Sequence, residues 1–259
     1  MLLAIDIGNS NISIGCLRED EILFEVRIAT DRARTSDQYG VEIQNMLEAN
    51  GVHREDIHDS IISSVVPPVF NSVWAGVYKM TGRRPLVVEA DMDAGLEICL
   101  DMPSQVGADR IVMAVAALER YSAPLILIDM GTATTIEVVE PGGRYMGGVI
   151  IPGVRVALDA LTSRTAQLPA ISLGRPGKVV ATNTADCMRS GIMYGNACML
   201  DGMIDRMEEE LGHGATLVAT GGLAPFITPL CRHEIILEPE LLLRGLNALY
   251  KRNRDREPT

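Results

Sequence analysis

Two stretches far apart in the chain share one pattern: an apolar run leads into Asp-x-Gly, and small polar residues and a second β-rich run follow. The first, LLAIDIGNSNISIG, contains Asp6 and Gly8, and the second, LILIDMGTATTIEVV, contains Asp129 and Gly131. An apolar run bounded by a turn predicts a buried strand, so each aspartate is expected at the carboxyl end of a strand. The repeat predicts a chain built from two related halves, each opening with an Asp-x-Gly β-hairpin.

The chemistry of these turns suits phosphate together with a cation. A carboxylate beside a turn of small residues can hold a hydrated divalent cation, and the N–H groups of the turn can bind phosphate oxygens. A lone Asp-x-Gly is typical of an ordinary β-turn. Two copies in matching strand contexts favour a clamp made of two phosphate-binding turns.

The residues after each glycine distinguish these turns from commoner phosphate loops. A helix follows the glycines of a P-loop or a Rossmann turn, whereas ISIG and IEVV favour strands. The sequence has no G-x-x-x-x-G-K-[ST] motif, and none of its lysines (Lys79, Lys178 and Lys251) lies in a glycine-rich phosphate turn. Backbone donors and a metal are therefore expected to balance the phosphate charge.

The composition limits the class of protein and its partners. A hydrophobic content of 47% with 22% charged residues is typical of a globular protein, and a net charge of -11 argues against nucleic acid or anionic membrane as the main partner. Five scattered cysteines without a C-x-x-C indicate reduced thiols, as in the cytoplasm. The sequence shows neither a signal peptide nor an apolar run of about 18 residues, so we expect a cytoplasmic protein without a membrane partner.

Strand and helix signals alternate along the chain, which predicts an α/β protein. The opening hairpins argue against a wholly parallel sheet, so mixed sheets flanked by helices are expected. Ser36 is predicted to be the N-cap of the first helix. Other predicted segments are strands at 60–66, 85–88 and 96–100 and a long amphipathic helix at 184–211. We place the N-terminal half at 1–120 and the C-terminal half, including the closing helix EPELLLRGLNALYKR, at 121–259.

Asp109 allows two interpretations. It lies in the first turn of a helix predicted to begin at Ala108, where the helix dipole favours any carboxylate. Alternatively, it faces a cleft as a general base, with Arg110 as an anion anchor. The local pattern alone leaves both interpretations of Asp109 open.

Several motifs together resemble the type III pantothenate kinases of the acetate and sugar kinase/heat-shock/actin superfamily. The matching blocks, in the family's order, are DIGNSNISIG, VGADR, IDMGTATT, GGVIIPG, TAQLP, the run from Asn183 to Gly195, TGG and EPELLLRGL. The resemblance covers nearly the whole chain. It implies a duplicated ribonuclease-H-like (actin-like ATPase) fold, a homodimer, and ATP-dependent phosphorylation of pantothenate, the first step of coenzyme A biosynthesis.

The resemblance also implies roles for individual residues. Asp109 is the expected catalytic base, Asp6 is expected to help hold Mg²⁺ through ATP, and Asp129 is expected to bind a monovalent cation, K⁺ or ammonium. The expected ATP-binding residues are Asp6, Ile7, Gly8, Asn9, Ser10, Asn11, Ile12, Ser13, Thr132, Gly221 and Gly222. The expected pantothenate-binding residues are Gly107, Ala108, Asp109, Arg110 and Thr184.

One position departs from the family pattern, because Leu100 stands where many members carry a tyrosine in the pocket strand. This change puts the affinity for pantothenate in question, but not the type of reaction. An alternative function is that of a non-catalytic, transcription-accessory protein of the same fold, which would not need Asp6, Asp109 and Asp129 together. Another kinase or phosphatase of the superfamily fits the motifs less well, and a purely structural protein leaves the paired hairpins unexplained.

Overall fold

The computed structural model describes residues 1–89 and 91–255, and the chain divides into two compact units. The first unit joins Met1–Arg120 to the segment that begins at Glu240, and the second unit is Tyr121–Pro239. Within the described ranges, no helix is both long and apolar enough to cross a membrane.

The secondary structure alternates between strands and helices, as the sequence predicts. The strands are β1 (Leu2–Ile7), β2 (Asn11–Arg18), β3 (Glu21–Ala29), β4 (Asp59–Ser64), β5 (Leu86–Val87), β6 (Glu97–Ile98), β7 (Leu125–Met130), β8 (Ala133–Glu140), β9 (Arg144–Pro152), β10 (Thr216–Thr220) and β11 (Ile236–Leu237). The helices are α1 (Ser36–Ala49), α2 (Pro67–Thr81), α3 (Ala108–Arg120), α4 (Val154–Ser163), α5 (Thr184–Leu211), α6 (Ala224–Ile227) and α7 (Leu241–Asn253). The long helix α5 has the predicted bounds.

The sheet of the first unit has the strand order β3-β2-β1-β4-β5. The first three strands form an antiparallel meander, whereas β4 pairs parallel with β1, and β5 pairs parallel with β4. Every residue of β1 is buried, which explains its unbroken apolar run up to Asp6. The mixed sheet confirms that the first hairpin opens the unit.

The second unit repeats this topology. Its strands run in the order β9-β8-β7-β10-β11, with antiparallel β7–β8 and β8–β9 pairs followed by parallel β7–β10 and β10–β11 pairs. β7 therefore occupies the central position that β1 has in the first unit. The common strand order confirms the predicted duplication, and it places Asp6 and Asp129 at equivalent strand ends.

The closing helix α7 packs with the first unit, not with the second half in which the sequence prediction places it. Its leucines Leu243, Leu246 and Leu249 are buried in a cluster with Leu2 of β1 and Val112 of α3. The apolar spacing of α7 predicts its buried face correctly. Position along the chain does not indicate which sheet that face covers.

Two local predictions need correction. Thr35, and not Ser36, is the N-cap of α1, because its hydroxyl accepts a hydrogen bond from the N–H of Gln38 while the Gln38 side chain bonds back to the Thr35 N–H. The strands predicted at 85–88 and 96–100 are shorter, and each comprises two residues in the structure.

Candidate active site

The first Asp-x-Gly turn is closed by backbone hydrogen bonds and tied to the end of β3. The Gly8 N–H donates to the Asn11 carbonyl at 3.0 Å, and a carbon added at Gly8 would lie 3.1 Å from the same oxygen. Thr30 holds the turn from the side, since its hydroxyl donates to the Gly8 carbonyl at 2.6 Å and its N–H donates to the Ser10 carbonyl at 3.0 Å. The turn is therefore tight, and Asn9 and Ser10 are exposed at its tip.

Asp6 precedes this turn and lies between two serines in the sheet. It is 7% exposed, and its register partners are Ser13 on β2 and Ser63 on β4. Residues paired in register project to the same face of a sheet, so one carboxylate and two hydroxyls share this position. The hydroxyl of Ser63 is fully buried and has no hydrogen-bond partner among the described residues.

Asp109 lies in the first turn of α3 and folds back over Gly107. Its Oδ1 accepts a hydrogen bond from the Arg110 N–H at 2.8 Å, and a carbon added at Gly107 would lie 2.5 Å from that oxygen. The Gly107 carbonyl accepts hydrogen bonds from the N–H groups of Arg110 and Ile111. Only glycine at position 107 therefore leaves room for the carboxylate in this orientation.

The first unit brings this carboxylate to the same edge of the sheet as the first turn. The Val65 N–H donates to the Ile7 carbonyl at 3.1 Å, which ties the end of β4 to the end of β1. Val65 Cγ1 would lie 3.5 Å from a carbon added at Gly107. A short path of contacts thus connects the predicted phosphate turn with the predicted substrate residues Gly107 to Arg110, which are all half-buried.

The second Asp-x-Gly turn is also closed by a hydrogen bond from the N–H of its glycine, but it is one residue shorter than the first. The Gly131 N–H donates to the Ala133 carbonyl at 3.0 Å. The start of α4 lies against this turn, because the Gly153 N–H donates to the Thr132 carbonyl at 3.1 Å and a carbon added at Gly153 would lie 2.2 Å from the same oxygen. Thr132 is exposed at this turn.

Asp129 lies between this turn and the glycine that follows β10. A carbon added at Gly221 would lie 2.6 Å from Asp129 Oδ1, and one added at Gly131 would lie 3.7 Å from both carboxylate oxygens. The register partners of Asp129 are Thr135 on β8 and Thr220 on β10, which are the positions that serines occupy around Asp6. The Thr135 hydroxyl is buried and finds no hydrogen-bond partner in the described part of the chain.

The remaining predicted residues lie outside the two turns. Thr184 is exposed at the first position of α5, next to the N-cap Asn183, whose side chain accepts a hydrogen bond from the Asp186 N–H at 2.9 Å. Gly222 is exposed directly after Gly221. The structure therefore groups the predicted residues of each unit around its own turn, apart from Thr184.

The residue types around the two aspartates suit hard cations. Among the described residues, no group of three or more His, Cys, Asp or Glu side chains could hold a metal ion. Mg²⁺ is commonly bound through one or two carboxylates together with substrate phosphates and water, so Asp6 beside two serine hydroxyls fits that ion. Sequence reasoning missed Ser63 and Thr220, because only the parallel strand pairings bring them beside the aspartates.

The cysteines show no sign of a nucleophilic role. All five are free thiols. Burial raises the pKa of the Cys16 thiol, and burial, with smaller contributions from Asp201 and Cys198, raises the pKa of Cys231 to about 12. Since the thiolate is the reactive form, neither of these two thiols is activated near neutral pH.

Comparison with known sequences gives one consistent family. The model of the type III pantothenate kinase family matches residues 2–206. Proteins named type III pantothenate kinase from Moorella thermoacetica and Exiguobacterium sibiricum are 41% and 42% identical to the chain over 253 and 254 residues, covering 98% of this chain and 100% of theirs. A protein of the same name from Agathobacter rectalis is 41% identical and covers 97% of both chains.

Comparison with solved structures extends over the whole length. A Campylobacter jejuni protein described as belonging to the Baf family of transcriptional activators has a TM-score of 0.60 at 19% identity and covers 98% of this chain and 99% of its own. Component A of the Acidaminococcus fermentans (R)-2-hydroxyglutaryl-CoA dehydratase has a TM-score of 0.55 at 16% identity, with coverage of 98% and 97%. At these identities the likeness concerns the fold alone. Together with the repeated strand order, it confirms the actin-like ATPase fold.

Proposed function

The chain belongs to the type III pantothenate kinase family, and we propose that it transfers the terminal phosphoryl group of ATP to pantothenate, giving 4'-phosphopantothenate in the first step of coenzyme A biosynthesis. The observation that carries this proposal is the family match over residues 2–206, which include both Asp-x-Gly turns and Asp109. Phosphoryl transfer requires mainly positioning and charge compensation from the protein, which suits turns rich in backbone donors.

Asp109 is the proposed general base. The proximity of its carboxylate to the first turn, through Val65 and Gly107, supports a role at the reacting hydroxyl. A base must come within about 2.6–3.2 Å of the proton it accepts, directly or through one water. Asp109 would accept the proton of the primary hydroxyl of pantothenate, while Gly107, Ala108 and Arg110 line the substrate pocket.

The first turn, Asp6 to Ser13, is the proposed site for the phosphates of ATP. Asp6 would hold Mg²⁺ through ATP, and the ion, when bound, would neutralise phosphate charge. The chain's own contribution is the closed turn of Gly8 and Asn11, which presents backbone N–H groups, and the Ser63 hydroxyl beside Asp6. This hydroxyl has no partner among the described residues, which supports its use towards a ligand.

The second turn is the proposed site for a monovalent cation and the nucleotide. Asp129, with the Thr135 and Thr220 hydroxyls beside it, offers oxygen ligands for K⁺ or ammonium. Such an ion would supply the positive charge that a lysine supplies in P-loops. The contact between Asp129 and Gly221 supports placing the adenosine near Gly221 and Gly222, with Thr132 touching ATP.

The proposed assembly is a homodimer whose pantothenate pocket is completed by Thr184 of the partner subunit. The exposure of Thr184 and of Gly191 and Gly195, three residues along one side of α5, supports a close approach by another helix. Exposed apolar side chains of the second unit, including Ile150 and Val180, also favour a partner surface. Five free thiols support a cytoplasmic location.

A non-catalytic accessory role is not favoured. The relatives at 41–42% identity are named as kinases, whereas the Baf family protein at 19% identity informs on the fold alone. The test is ADP release coupled to NADH oxidation with ATP, Mg²⁺ and pantothenate, together with mass-spectrometric detection of phosphopantothenate. Pantothenate-dependent ADP release with formation of this product is expected. Folded protein that binds both substrates but forms no product would contradict the proposal.

A further inference from the structure

The helix α7 contacts the Asp109-bearing helix α3 at a point where no side chain fits. A carbon added at Gly245 of α7 would lie 2.1 Å from the Val112 carbonyl oxygen and 2.8 Å from Val112 Cγ1. Gly245 and Val112 are both buried. The two helices therefore touch where the backbone of Gly245 meets Val112. On α3, Val112 lies one turn after Asp109.

The opposite side of α7 is attached to the sheet of the same unit. Leu243 packs onto Gly15 of β2, where its Cδ1 atom would lie 2.5 Å from a carbon added at that glycine. The Asn247 side chain donates to the Glu19 carbonyl at 2.8 Å, at the turn between β2 and β3. Because the sheet holds α7 in place, a larger residue at position 245 would displace α3.

We infer that Gly245 is a positioning residue for the reaction: its lack of a side chain sets the distance of α3 from the sheet and so places the Asp109 carboxylate. This inference rests on the proposed role of Asp109. Side-chain Cβ atoms essentially never lie closer than 3.0 Å to another heavy atom, and the added carbon would lie 2.1 Å from the Val112 oxygen, so Gly245→Ala requires a shift of about 1 Å at Val112. A misplacement of that size can lower turnover about 10²-fold.

The first test measures kcat, the KM for ATP and the KM for pantothenate in Gly245→Ala. Turnover is expected to fall about 10²-fold, with a much smaller change in the KM for ATP, because neither Gly245 nor Val112 is among the residues proposed to bind ATP. Val115→Ala serves as the control for lost stability, since Val115 is as buried as Val112 but lies a turn further from Asp109. A folded Gly245→Ala protein with normal kcat would overturn the inference.

The second test places Gly245→Ala in the Asp109→Asn background. If Gly245 acts through Asp109, the double variant should be no slower than Asp109→Asn alone. If Asp109→Asn is nearly inactive and Gly245→Ala lowers kcat by the same factor in that background as in the wild type, the inference is overturned and the proposed function stays intact. Full activity of Asp109→Asn would overturn the proposed role of Asp109 and this inference with it.

A second variant covers the case in which Gly245→Ala does not fold. Val112→Ala removes Cγ1, which faces Gly245, without adding bulk, and Val115→Ala makes the same truncation one turn further along the helix. Val112→Ala should lower kcat at least several-fold more than Val115→Ala at an equal loss of Tm, and the difference should vanish in the Asp109→Asn background. Equal kcat values in the two valine variants would overturn the inference.

Discussion

Asp129 and Gly221 touch where two parallel strands end: a side-chain carbon at Gly221 would lie 2.6 Å from Asp129 Oδ1 and 2.6 Å from the Met130 nitrogen. Gly221 has a φ of 96°, a conformation that residues with side chains rarely adopt. The carboxylate proposed to bind the cation and the glycine proposed to border the adenosine thus form one constrained unit. A change at the glycine is expected to disturb both.

The first prediction is that Gly221→Ala loses both stability and cation-dependent activity. The backbone strain alone should cost about 1–3 kcal/mol, and the added carbon would push against Asp129. Gly214→Ala is the matched control, because Gly214 precedes the same strand and a carbon there would meet only Glu208 Oε1, at 3.5 Å. Chemical unfolding and kinase assays on both variants test this. Equal stability and activity in the two proteins would contradict the tight contact.

The second prediction concerns Asp109→Asn. Asparagine keeps an oxygen that can accept the Arg110 N–H, so the start of α3 and ATP binding should persist. Removal of the base should lower kcat by roughly 10²-fold or more. Steady-state kinetics, with calorimetric ATP binding as the control for folding, test this expectation. Near-normal turnover in a folded variant would remove Asp109 from the role of base.

The third prediction concerns the monovalent cation. Activity should fall strongly when K⁺ and ammonium are replaced by Na⁺ or a bulky organic cation, because Asp129 with its neighbouring hydroxyls would lose the ion that offsets phosphate charge. Asp129→Ala should abolish both the dependence and most of the activity. Thermal shifts in each salt provide a readout that is independent of turnover. Equal rates in all salts at matched ionic strength would show that this site does not bind a required cation.

The sequence predicts the two Asp-x-Gly turns well because each depends on residues that are adjacent in the chain. An apolar run ends at the aspartate, a glycine closes the turn, and a β-rich run follows, so local preferences already agree with the fold. The placement of Asp109 in the first turn of α3, which begins at Ala108 as predicted, also depends on neighbouring residues. Its two interpretations need not exclude each other, since the first turn of α3 also lies at the edge of the sheet that bears Asp6.

The hydroxyls that flank the aspartates could not be predicted in the same way. Ser63 and Thr220 reach Asp6 and Asp129 only through parallel pairings, whose register depends on the crossover connections between the strands. The packing of α7 could not be predicted for a similar reason. Its apolar spacing indicates a buried face but does not indicate which sheet that face covers. The choice of Thr35 over Ser36 as N-cap depends on the reciprocal bond with Gln38, which two adjacent hydroxyl residues leave undecided.

The fourth prediction is that Tyr250 contributes to stability in a pH-dependent way. Burial, with the hydrogen bond from its hydroxyl to Asp59 Oδ2 at 2.6 Å adding to the effect, raises the pKa of Tyr250 to about 12. Because this folded-state pKa lies above the unfolded value of about 10, the contribution is fully present below pH 10 and is lost as the pH rises towards 12. Urea unfolding of the wild type and Tyr250→Phe from pH 8 to pH 11.5 tests this. A difference in unfolding free energy that stays constant over this range would contradict it.

The last prediction is that Asp109 and Thr184 serve one pocket from different subunits. Asp109→Asn removes the base, and Thr184→Arg fills the pocket from an exposed position that should tolerate the change without unfolding. Each protein alone should be nearly inactive. After subunit exchange, a heterodimer would carry both lesions in one pocket and neither in the other.

At equal mixing, about half of the dimers are mixed, so about a quarter of all pockets should regain full activity. Native mass spectrometry measures the extent of exchange, and the recovered rate should rise in proportion to the mixed dimer. If Asp109 and Thr184 act in one pocket from a single chain, every pocket of the mixture keeps one lesion. No recovery despite complete exchange would therefore exclude the shared pocket and leave the kinase activity itself unaffected.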